Sequence, residues 1–339
     1  MNLKKIIGKS SKFFAPIRFF GGPSPLFLLV HLTLECNCDC AFCYQKNGDF
    51  YRGRKGFMAL GDFERILKEA KKFFIKPRIH LFGGEPLLHP EFEKIVKSLD
   101  AGRFRFSLTT NGVMLGRRAE ILSSSRLDQI NVSLDDLGET HDEARKLRGC
   151  FELALAGIKK MRALEKGKRN KKIINVNCLI GENNFFRLAQ IARYFADNRI
   201  EINLLSFQHP YFAANAKPTK LNSEEIAAQM SALEKMDLPF DVIFVPAVKK
   251  RDLADFYFPA GKDRFKKDCF LPWLGLSLLP DLDVSPGGGV LGCNFILGNL
   301  KSAGIKEIWQ GPALAGFRKQ IKKGGLPAIC GCCCHRRYY

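Results

Sequence analysis

Residues 35–44 read ECNCDCAFCY and place Cys36, Cys40 and Cys43 at gaps of three and two residues. This loop directly follows an apolar run, Leu26–Leu34, of the kind that forms a strand buried on both faces. Thiolates at these gaps can hold three corners of a cubane iron–sulfur cluster, because a short loop has to curl around it. Three protein ligands would leave one iron of such a cluster open to an external chelating ligand.

A zinc site is the alternative interpretation of this loop, since zinc also takes thiolate ligands at short spacings. Zinc knuckles usually have a further cysteine or histidine nearby, and here none follows Cys43 before His80. Another thiol, Cys38, lies within the motif, and we interpret it as a bystander. The spacing therefore favours the cluster.

Beyond the loop, apolar runs of strand length alternate with amphipathic helical segments. The first such helix has apolar residues at helical spacing from Phe63 to Phe74, and Pro77 is expected to close it. This alternation predicts a parallel sheet with right-handed crossovers, either a full or partial barrel or an open doubly wound sheet. The predicted strands are Leu26–Leu34, Arg78–Phe82, Phe104–Leu108, Gln129–Leu134, Ile173–Leu179 and Ile202–Phe207.

Short polar or glycine-rich motifs accompany the ends of these predicted strands. Residues 83–86 (GGEP) follow the second strand, and residues 109–112 (TTNG) follow the third. Ser133 and Asp135 stand at the end of the fourth strand, and Asn177 lies in the fifth. Taken singly, each is an ordinary turn or strand sequence. Because the carboxyl ends of parallel strands meet at one edge, where α/β proteins build their sites, we expect these motifs to lie together.

Together, these motifs resemble the radical S-adenosylmethionine (SAM) superfamily, whose fold is a partial (β/α)6 TIM-like barrel. The resemblance covers residues 26–210. It implies that Cys36, Cys40 and Cys43 hold a [4Fe–4S] cluster and that SAM chelates the open iron. The residues that it implies for binding this cofactor are Phe42, Gly83, Gly84, Glu85, Ser133, Asp135 and Asn177.

The resemblance also implies a reaction. In the family, the reduced cluster passes one electron to SAM, which is cleaved to methionine and a 5′-deoxyadenosyl radical that abstracts hydrogen from a substrate. We therefore expect a radical enzyme of oxidoreductase type, with an electron donor such as flavodoxin or ferredoxin. The substrate is left open between a peptide, a small molecule and a lipid. His209, which follows the sixth predicted strand, and Asp283 are candidate catalytic residues.

A second group of cysteines marks the C-terminal part, where glycine- and proline-rich sequence replaces the alternation of strands and helices. This part resembles the SPASM and twitch domains, which carry auxiliary iron–sulfur clusters in many radical enzymes. Residues 281–287 differ from the family pattern DGxVxPC, since Leu282 and Gly287 replace its glycine and its cysteine. We expect one auxiliary [4Fe–4S] cluster, with structural zinc as the alternative, because four thiolates suit both metals. The ligands that we choose are Cys269, Cys293, Cys330 and Cys333.

These features divide the chain into four parts. Residues 1–25 form a basic amphipathic segment, and residues 26–210 form the partial barrel. Residues 211–266 are a connecting region, and residues 267–339 are the small, loop-rich domain with the second group of cysteines. The N-terminal segment is interpreted either as a helix on an anionic membrane surface or as a helix packed against the barrel.

A net charge of +20 and twelve cysteines restrict the classes of function. Dense cysteine in a chain with no recognised signal peptide favours a reducing, cytoplasmic compartment, and metal ligation over disulfides. No run reaches the roughly 18 apolar residues that a membrane span needs. The charge suits nucleic acid, an anionic membrane contacted peripherally, or an acidic substrate. The alternative function is a basic zinc or iron–sulfur protein that binds nucleic acid without radical catalysis, although no nucleic-acid module is recognised.

Overall fold

The structure is a computed structural model, which describes residues 22–209, 221–245, 247–254, 269–287 and 295–324. Its strands are β1 (Phe27–Thr33), β2 (Arg78–Gly83), β3 (Phe106–Thr110), β4 (Leu127–Ser133), β5 (Ile173–Leu179), β6 (Leu204–Gln208), β7 (Asp241–Val245), β8 (Gly275–Leu278), β9 (Asp283–Pro286) and β10 (Gly298–Asn299). They form one sheet in the order β10-β9-β8-β1-β2-β3-β4-β5-β6-β7. Strands β8 and β1 to β7 are parallel, and β9 pairs antiparallel with β8 and β10.

The described helices alternate with the strands, and most of them connect successive parallel strands. They are α1 (Tyr44–Asn47), α2 (Leu60–Ala70), α3 (Phe92–Ala101), α4 (Leu115–Ser124), α5 (Gly138–Arg145), α6 (Cys150–Leu164), α7 (Leu188–Asp197), α8 (Ser223–Glu234), α9 (Leu271–Leu274), α10 (Ile305–Gln310) and α11 (Pro312–Lys322). Because β1 to β6 are neighbours in chain order, they form the partial (β/α)6 barrel that the sequence predicted. Among the helices of the described ranges, none has the length and the apolar content to cross a bilayer.

The two faces of the barrel sheet differ in chemistry. Ile130 of β4 and Val176 of β5 have no exposed surface and belong to the apolar core. The alternate positions are polar, and Asn131 of β4 stands opposite Asn175 of β5. Since successive side chains of a strand point to opposite faces, the apolar set faces the helices and the polar set faces the barrel interior.

The six predicted strands are present as β1 to β6, with ends shifted by no more than two residues. The predicted connecting region is more regular than expected, because it contains α8 and a seventh parallel strand, β7. Strand β7 pairs with β6, with Asp241 opposite Leu204. This region therefore extends the barrel sheet beyond its sixth strand.

The helix predicted to run from Phe63 to Phe74 ends earlier, at Ala70. The Lys72 and Phe73 N–H groups donate to carbonyls three residues back, so the chain tightens into a turn after α2. Phe73 is buried, whereas Phe74 is 91% exposed. The prediction that Phe74 lies on the apolar helix face was wrong, because the turn lets only one of two adjacent aromatic rings reach the core.

The C-terminal strands continue the barrel sheet on its other side. Strand β8 pairs in parallel with β1, with Gly275 opposite Phe27. Arg54, which follows the cysteine loop, forms ion pairs with Asp281 and Asp283 at the β8–β9 turn. These contacts place the C-terminal strands beside the first strand of the barrel and its cysteine loop.

The variant Gly275→Ala is expected to lower the free energy of unfolding by about 1–3 kcal/mol. An added Cβ would lie 2.5 Å from the Phe27 carbonyl oxygen, so β8 would have to move away from β1. Gly61→Ala in α2 is the matched control, since nothing lies within 4 Å of its added Cβ and alanine favours helix. Urea unfolding measures both variants. Equal stability of Gly275→Ala and wild type would contradict the tight pairing of β8 with β1.

Candidate active site

The cysteine loop leaves β1 at the carboxyl edge of the parallel strands. The Glu35 N–H donates to Thr33 Oγ1 at 2.9 Å as the chain turns out of the strand. The Cys43 N–H donates to the Cys40 carbonyl at 3.1 Å, which closes a turn between these two cysteines. Cys36 is exposed, Cys40 is buried and Cys43 is half-buried. The fold therefore presents all three predicted ligands on one short loop at the predicted edge.

Gly83 and Gly84 bring the end of β2 against the base of this loop. The Gly84 N–H donates to the Thr33 carbonyl, and the Glu85 N–H donates to the Glu35 carbonyl, both at 2.8 Å. Gly83 has a φ of 130°, and a Cβ there would lie 2.0 Å from the Thr33 oxygen. A Cβ on Gly84 would lie 2.1 Å from the Glu35 oxygen. Glycine is required at both positions because the two backbones are in direct contact.

Glu85 is fully buried and joins the loops that follow β2 and β3. Its Oε1 accepts from the Leu87 N–H at 3.0 Å and from the Thr110 hydroxyl at 2.7 Å, and its Oε2 accepts from the Asn111 N–H at 2.7 Å. Burial raises the pKa of Glu85 to about 7, while the three hydrogen bonds act in the opposite direction. Because both oxygens of the Glu85 side chain already accept hydrogen bonds from the protein, the predicted contact with the cofactor falls to the backbone of residues 83–85.

Asn111, in the loop that follows β3, contacts the cysteine loop through its side chain. Its Nδ2 donates to Asn37 Oδ1 at 2.7 Å and lies 3.4 Å from the Cys38 sulfur. Hydrogen bonding with the Cys38 thiol lowers the pKa of Cys36 to about 6 and also lowers the pKa of Cys40. The same contacts raise the pKa of Cys38. Cys38 thus lies between two of the predicted ligands.

The chemistry of the three predicted ligands fits an iron–sulfur cluster. All three are thiols on one short loop, and a cubane offers a separate iron to each thiolate. With three protein ligands, the fourth iron of such a cluster would stay open to another ligand.

Arg145 is the site residue that sequence reasoning missed. It ends α5, and two of its guanidinium nitrogens lie 2.6 and 2.7 Å from Asp135 Oδ2. The other Asp135 oxygen accepts from the Leu179 N–H at 3.0 Å. The guanidinium carbon lies 5.5 Å from the Phe42 ring centre, and the Arg145 carbonyl accepts from the Asp39 N–H. Asp135, predicted to lie near the cofactor, therefore orients a cation beside the cysteine loop.

Ser133 and Asn177 occupy the same level of neighbouring strands. They are paired in register at the carboxyl ends of β4 and β5, and both side chains are half-buried. They continue the alternation that places Asn131 and Asn175 on the barrel interior. The structure therefore brings two of the predicted cofactor-binding residues together on the interior face.

A hydrogen-bonded row of polar side chains crosses the barrel interior at the next level. His80 contacts the Ser107 hydroxyl at 2.7 Å and the Thr109 hydroxyl at 3.0 Å. The Asn131 amide donates to Thr109 Oγ1 at 3.3 Å, and the Asn175 amide donates to Asn131 Oδ1 at 3.2 Å. Burial lowers the pKa of His80 to about 4, so its ring is neutral near pH 7. Alternation of polar and apolar residues in β4 and β5 was the sequence signal for this row.

Three buried polar atoms near this row have no hydrogen-bond partner among the described residues: His31 Nε2, the Tyr44 hydroxyl and Asn175 Oδ1. The rings of His31 and Tyr44 pack on Phe82, with centres 5.3 and 6.5 Å from it. Burial lowers the pKa of His31 to about 3, so this ring is also neutral. Because buried polar groups are nearly always paired, these atoms mark where polar groups of a bound molecule would find partners.

The two candidate catalytic residues lie at the margins of this interior. His209 follows β6, and its buried ring packs on Phe244 of β7, with ring centres 5.9 Å apart. Burial lowers the pKa of His209 to about 3. Asp283 begins β9, where its carboxylate pairs with Arg54 at 2.8 Å and accepts from Asn299 Nδ2 at 2.8 Å. These contacts give Asp283 a tethering role between β9, β10 and the loop after the cysteines.

Of the four predicted ligands of the auxiliary cluster, only Cys269 lies among the described residues. Cys269 is buried in a small apolar cluster with Trp273 and Phe317. Cys293, Cys330 and Cys333 lie outside the described residues.

Glu85→Gln is expected to lower the free energy of unfolding by about 1–3 kcal/mol, because glutamine turns an N–H donor toward groups that donate to Glu85. Folded Glu85 binds its proton more tightly than its ordinary pKa of 4.5 allows. This contribution to wild-type stability should therefore be lost as the pH rises from about 4.5 to about 7, and the variant should not show that loss.

Urea unfolding across this pH range measures both effects, with Glu93→Gln on the exposed surface of α3 as the control. Unchanged stability of Glu85→Gln would show that the carboxylate does not hold the two loops together.

Two family matches cover the barrel and the C-terminal part. Residues 30–185 match the radical SAM superfamily, and residues 269–334 match the SPASM iron–sulfur cluster-binding domain. The chain is 24% identical over 339 residues to pre-heme d1 synthase from Dinoroseobacter shibae, across 93% of this chain and 80% of the synthase. It is 28% identical over 182 residues to GTP 3′,8-cyclase from Clostridium perfringens, across 53% of this chain but only 54% of the cyclase.

Solved structures agree on the fold. SuiB from Streptococcus suis, bound to S-adenosylmethionine, superposes with a TM-score of 0.65 at 17% identity, over 94% of this chain and 73% of SuiB. SuiB bound to its precursor peptide SuiA gives a TM-score of 0.66 at the same identity, over 94% and 72%. The radical SAM domain implies a [4Fe–4S] cluster with SAM, and the SPASM domain implies auxiliary iron–sulfur binding. The chain therefore carries a radical SAM domain in residues 30–185 and a SPASM iron–sulfur cluster-binding domain in residues 269–334, the domain content of a radical SAM enzyme.

Proposed function

We propose that this enzyme reductively cleaves SAM to a 5′-deoxyadenosyl radical, which abstracts hydrogen from a substrate held in the barrel interior. The observation that carries the proposal is the position of Cys36, Cys40 and Cys43 on one loop whose base, at Thr33 and Glu35, lies directly against the backbone of Gly83 and Gly84. The cluster and SAM supply the electron transfer and the radical when they are bound. The protein contributes binding, orientation and exclusion of water.

The residues around the loop suit the parts of SAM. Backbone carbonyls near Gly84 are acceptors for an ammonium group. The Phe42 ring is 41% exposed and offers an apolar face to the adenine. Ser133 and Asn177 supply polar groups at the strand ends for the ribose. The Arg145 guanidinium, held by Asp135, places a positive charge beside the Cys36 and Cys40 thiols and adds to the Cys38 hydrogen bonds that favour their thiolate form.

The substrate is proposed to enter the barrel as a polar but uncharged group. The row from His80 to Asn175 consists of imidazole, hydroxyl and amide side chains. Asn175 Oδ1 is an acceptor, and His31 Nε2 becomes a donor because Nδ1 faces the Gln45 amide at 3.5 Å. An amide of a peptide or a sugar hydroxyl meets both requirements. The named relatives act as a synthase and a cyclase, so we propose this chemistry and not a particular product.

The remaining parts of the proposal concern electrons and metal. Cys269, Cys293, Cys330 and Cys333 would hold one auxiliary cluster, and flavodoxin or ferredoxin would deliver electrons. A reducing cytoplasmic compartment would keep these thiols available. A basic protein that only binds nucleic acid would have no use for the aligned strand-end residues, so we do not propose that function.

Anaerobically reconstituted, dithionite-reduced wild type is expected to form 5′-deoxyadenosine from SAM, measured by liquid chromatography. The combined variant Cys36→Ala/Cys40→Ala/Cys43→Ala should form none, because it lacks the thiolates that hold the cluster. Cys38→Ala is the matched control from the same loop and should still form the product. Product from the combined variant at the wild-type rate would exclude this loop as the radical site.

Cys269→Ala should reduce the iron content of the reconstituted protein by about half, since one of two cubane clusters would lose a ligand. Its 5′-deoxyadenosine formation with dithionite should persist. Cys178→Ala, which removes a buried thiol of β5, is the control and should retain all the iron. Full iron in Cys269→Ala would remove Cys269 from the ligand set, and bound zinc in wild type would favour the alternative metal.

A further inference from the structure

The edge of the sheet opposite the cysteine loop is lined by exposed cationic side chains. This amino edge consists of the segments that lead into β2, β3, β4, β5 and β6, where the helices end and the parallel strands begin. Its exposed lysines and arginines are Lys71, Lys72, Lys76, Arg103, Arg105, Arg126, Lys166, Lys168, Arg169, Lys171 and Arg199. Eleven of the 54 lysines and arginines of the chain are therefore exposed on this edge.

These segments contact one another and form a continuous surface. Lys76 Nζ donates to the Gly102 carbonyl at 3.1 Å, which links the segments before β2 and β3. Arg105 Nε pairs with Asp128 of β4 at 3.0 Å, which links β3 to β4. Lys172 Nζ donates to the Ser125 carbonyl at 2.6 Å, which links the segments before β5 and β4. The cations therefore belong to one surface and not to isolated loops.

Part of this charge has a structural explanation. Helices of a βα unit end at this edge, and their terminal carbonyls favour nearby cations. Lys76 and Lys172 donate hydrogen bonds to carbonyls at these helix ends. Arg105 forms an ion pair with Asp128, and Lys171 forms one with Glu201. The side chains of a second set form no ion pair in the described ranges of the chain, although the Arg126 main-chain N–H donates to Asp100 at 2.7 Å. This set points to an external anion: Arg126, Arg169 and Arg199.

Apolar side chains protrude from the same edge. Phe74 is 91% exposed and Ile75 is 48% exposed, in the turn between α2 and β2. The Ile75 N–H donates to Ser24 Oγ at 3.2 Å, so residues 22–26 lie beside this turn. Residues 22–25 belong to the predicted basic amphipathic segment, residues 1–25, whose other residues precede them directly in the sequence. A protruding aromatic residue flanked by lysines is the pattern of a protein surface that enters a lipid interface.

We infer that the amino edge docks on an anionic lipid bilayer, with Phe74 and Ile75 inserted among the headgroups and the cations beside lipid phosphates. A nucleic acid would satisfy the cations but would leave these two apolar side chains in water, and therefore suits the surface less well. The cysteine loop lies at the opposite edge. In this orientation the barrel opens away from the bilayer, so the lipid anchors the enzyme and is not its substrate.

Co-sedimentation of the full-length holoenzyme with vesicles tests the inference independently of SAM cleavage. Wild type should pellet with vesicles of equal parts phosphatidylcholine and phosphatidylglycerol, and not with phosphatidylcholine alone. Phe74→Ser/Ile75→Ser should lower the partition coefficient about tenfold or more, from the loss of apolar burial. Arg126→Gln/Arg169→Gln/Arg199→Gln should lower it by about fivefold per charge.

The controls lie at the carboxyl edge. Phe186→Ser removes another half-exposed phenylalanine, and Arg148→Gln removes another exposed arginine, and both should pellet like wild type. All variants should form 5′-deoxyadenosine at the wild-type rate, because none of these residues touches the site. Failure of wild type to pellet with anionic vesicles, or equal pelleting of every variant, overturns the inference. A DNA duplex can be added as a competitor for the vesicles. If the duplex releases wild type from the vesicles and binds wild type and Phe74→Ser/Ile75→Ser equally, the edge is assigned to nucleic acid instead.

Discussion

Two backbone hydrogen bonds, from Gly84 to the Thr33 carbonyl and from Glu85 to the Glu35 carbonyl, are the constraint on which the site depends. They bring β2 so close to the base of the cysteine loop that no Cβ fits between the two backbones. The buried Glu85 carboxylate extends the contact to β3 through Asn111, whose amide reaches back into the cysteine loop. The loops after the first three strands therefore hold one another, and the cysteine loop is positioned by backbone contacts together with two buried side chains.

The alternation of side chains along the strands places the apolar core residues and the polar interior residues on opposite faces of the sheet. Residues on the helix-facing side, such as Ile130 and Val176, have no exposed surface and form the apolar core. Their immediate neighbours Asn131 and Asn175 face the interior, where they form the polar row. A shift of one residue in register would exchange these two sets, so burial of the apolar face also fixes the position of every polar interior group. Burial of the apolar face, which stabilises the fold, thus also positions the polar groups of the barrel interior.

The C-terminal part and the amino edge show two further consequences of sheet order. Because β8 pairs with β1, the SPASM region begins beside the strand that leads into the cysteine loop. Arg54 joins the segment after that loop to Asp281 and Asp283 in the same region. Parallel strands also gather the carboxyl ends of the connecting helices at the opposite edge, where the terminal carbonyls favour nearby cations. The cysteine loop and the exposed cations of the amino edge are therefore separated by the length of the strands.

The sequence by itself determined the features that depend on neighbours in the chain. The cysteine spacing, the six barrel strands and the motifs at their ends follow from local periodicity and turn composition, and the structure places them as predicted. Only the tertiary structure decided that Asp135 holds Arg145 and that Asp283 is paired with Arg54, since these partners meet through strand order. It also decided that Phe74 is exposed, because apolar periodicity does not reveal where a helix turns away from its core. The spacing of residues in the sequence determines local geometry, whereas the pairing of side chains depends on how segments distant in the sequence pack together.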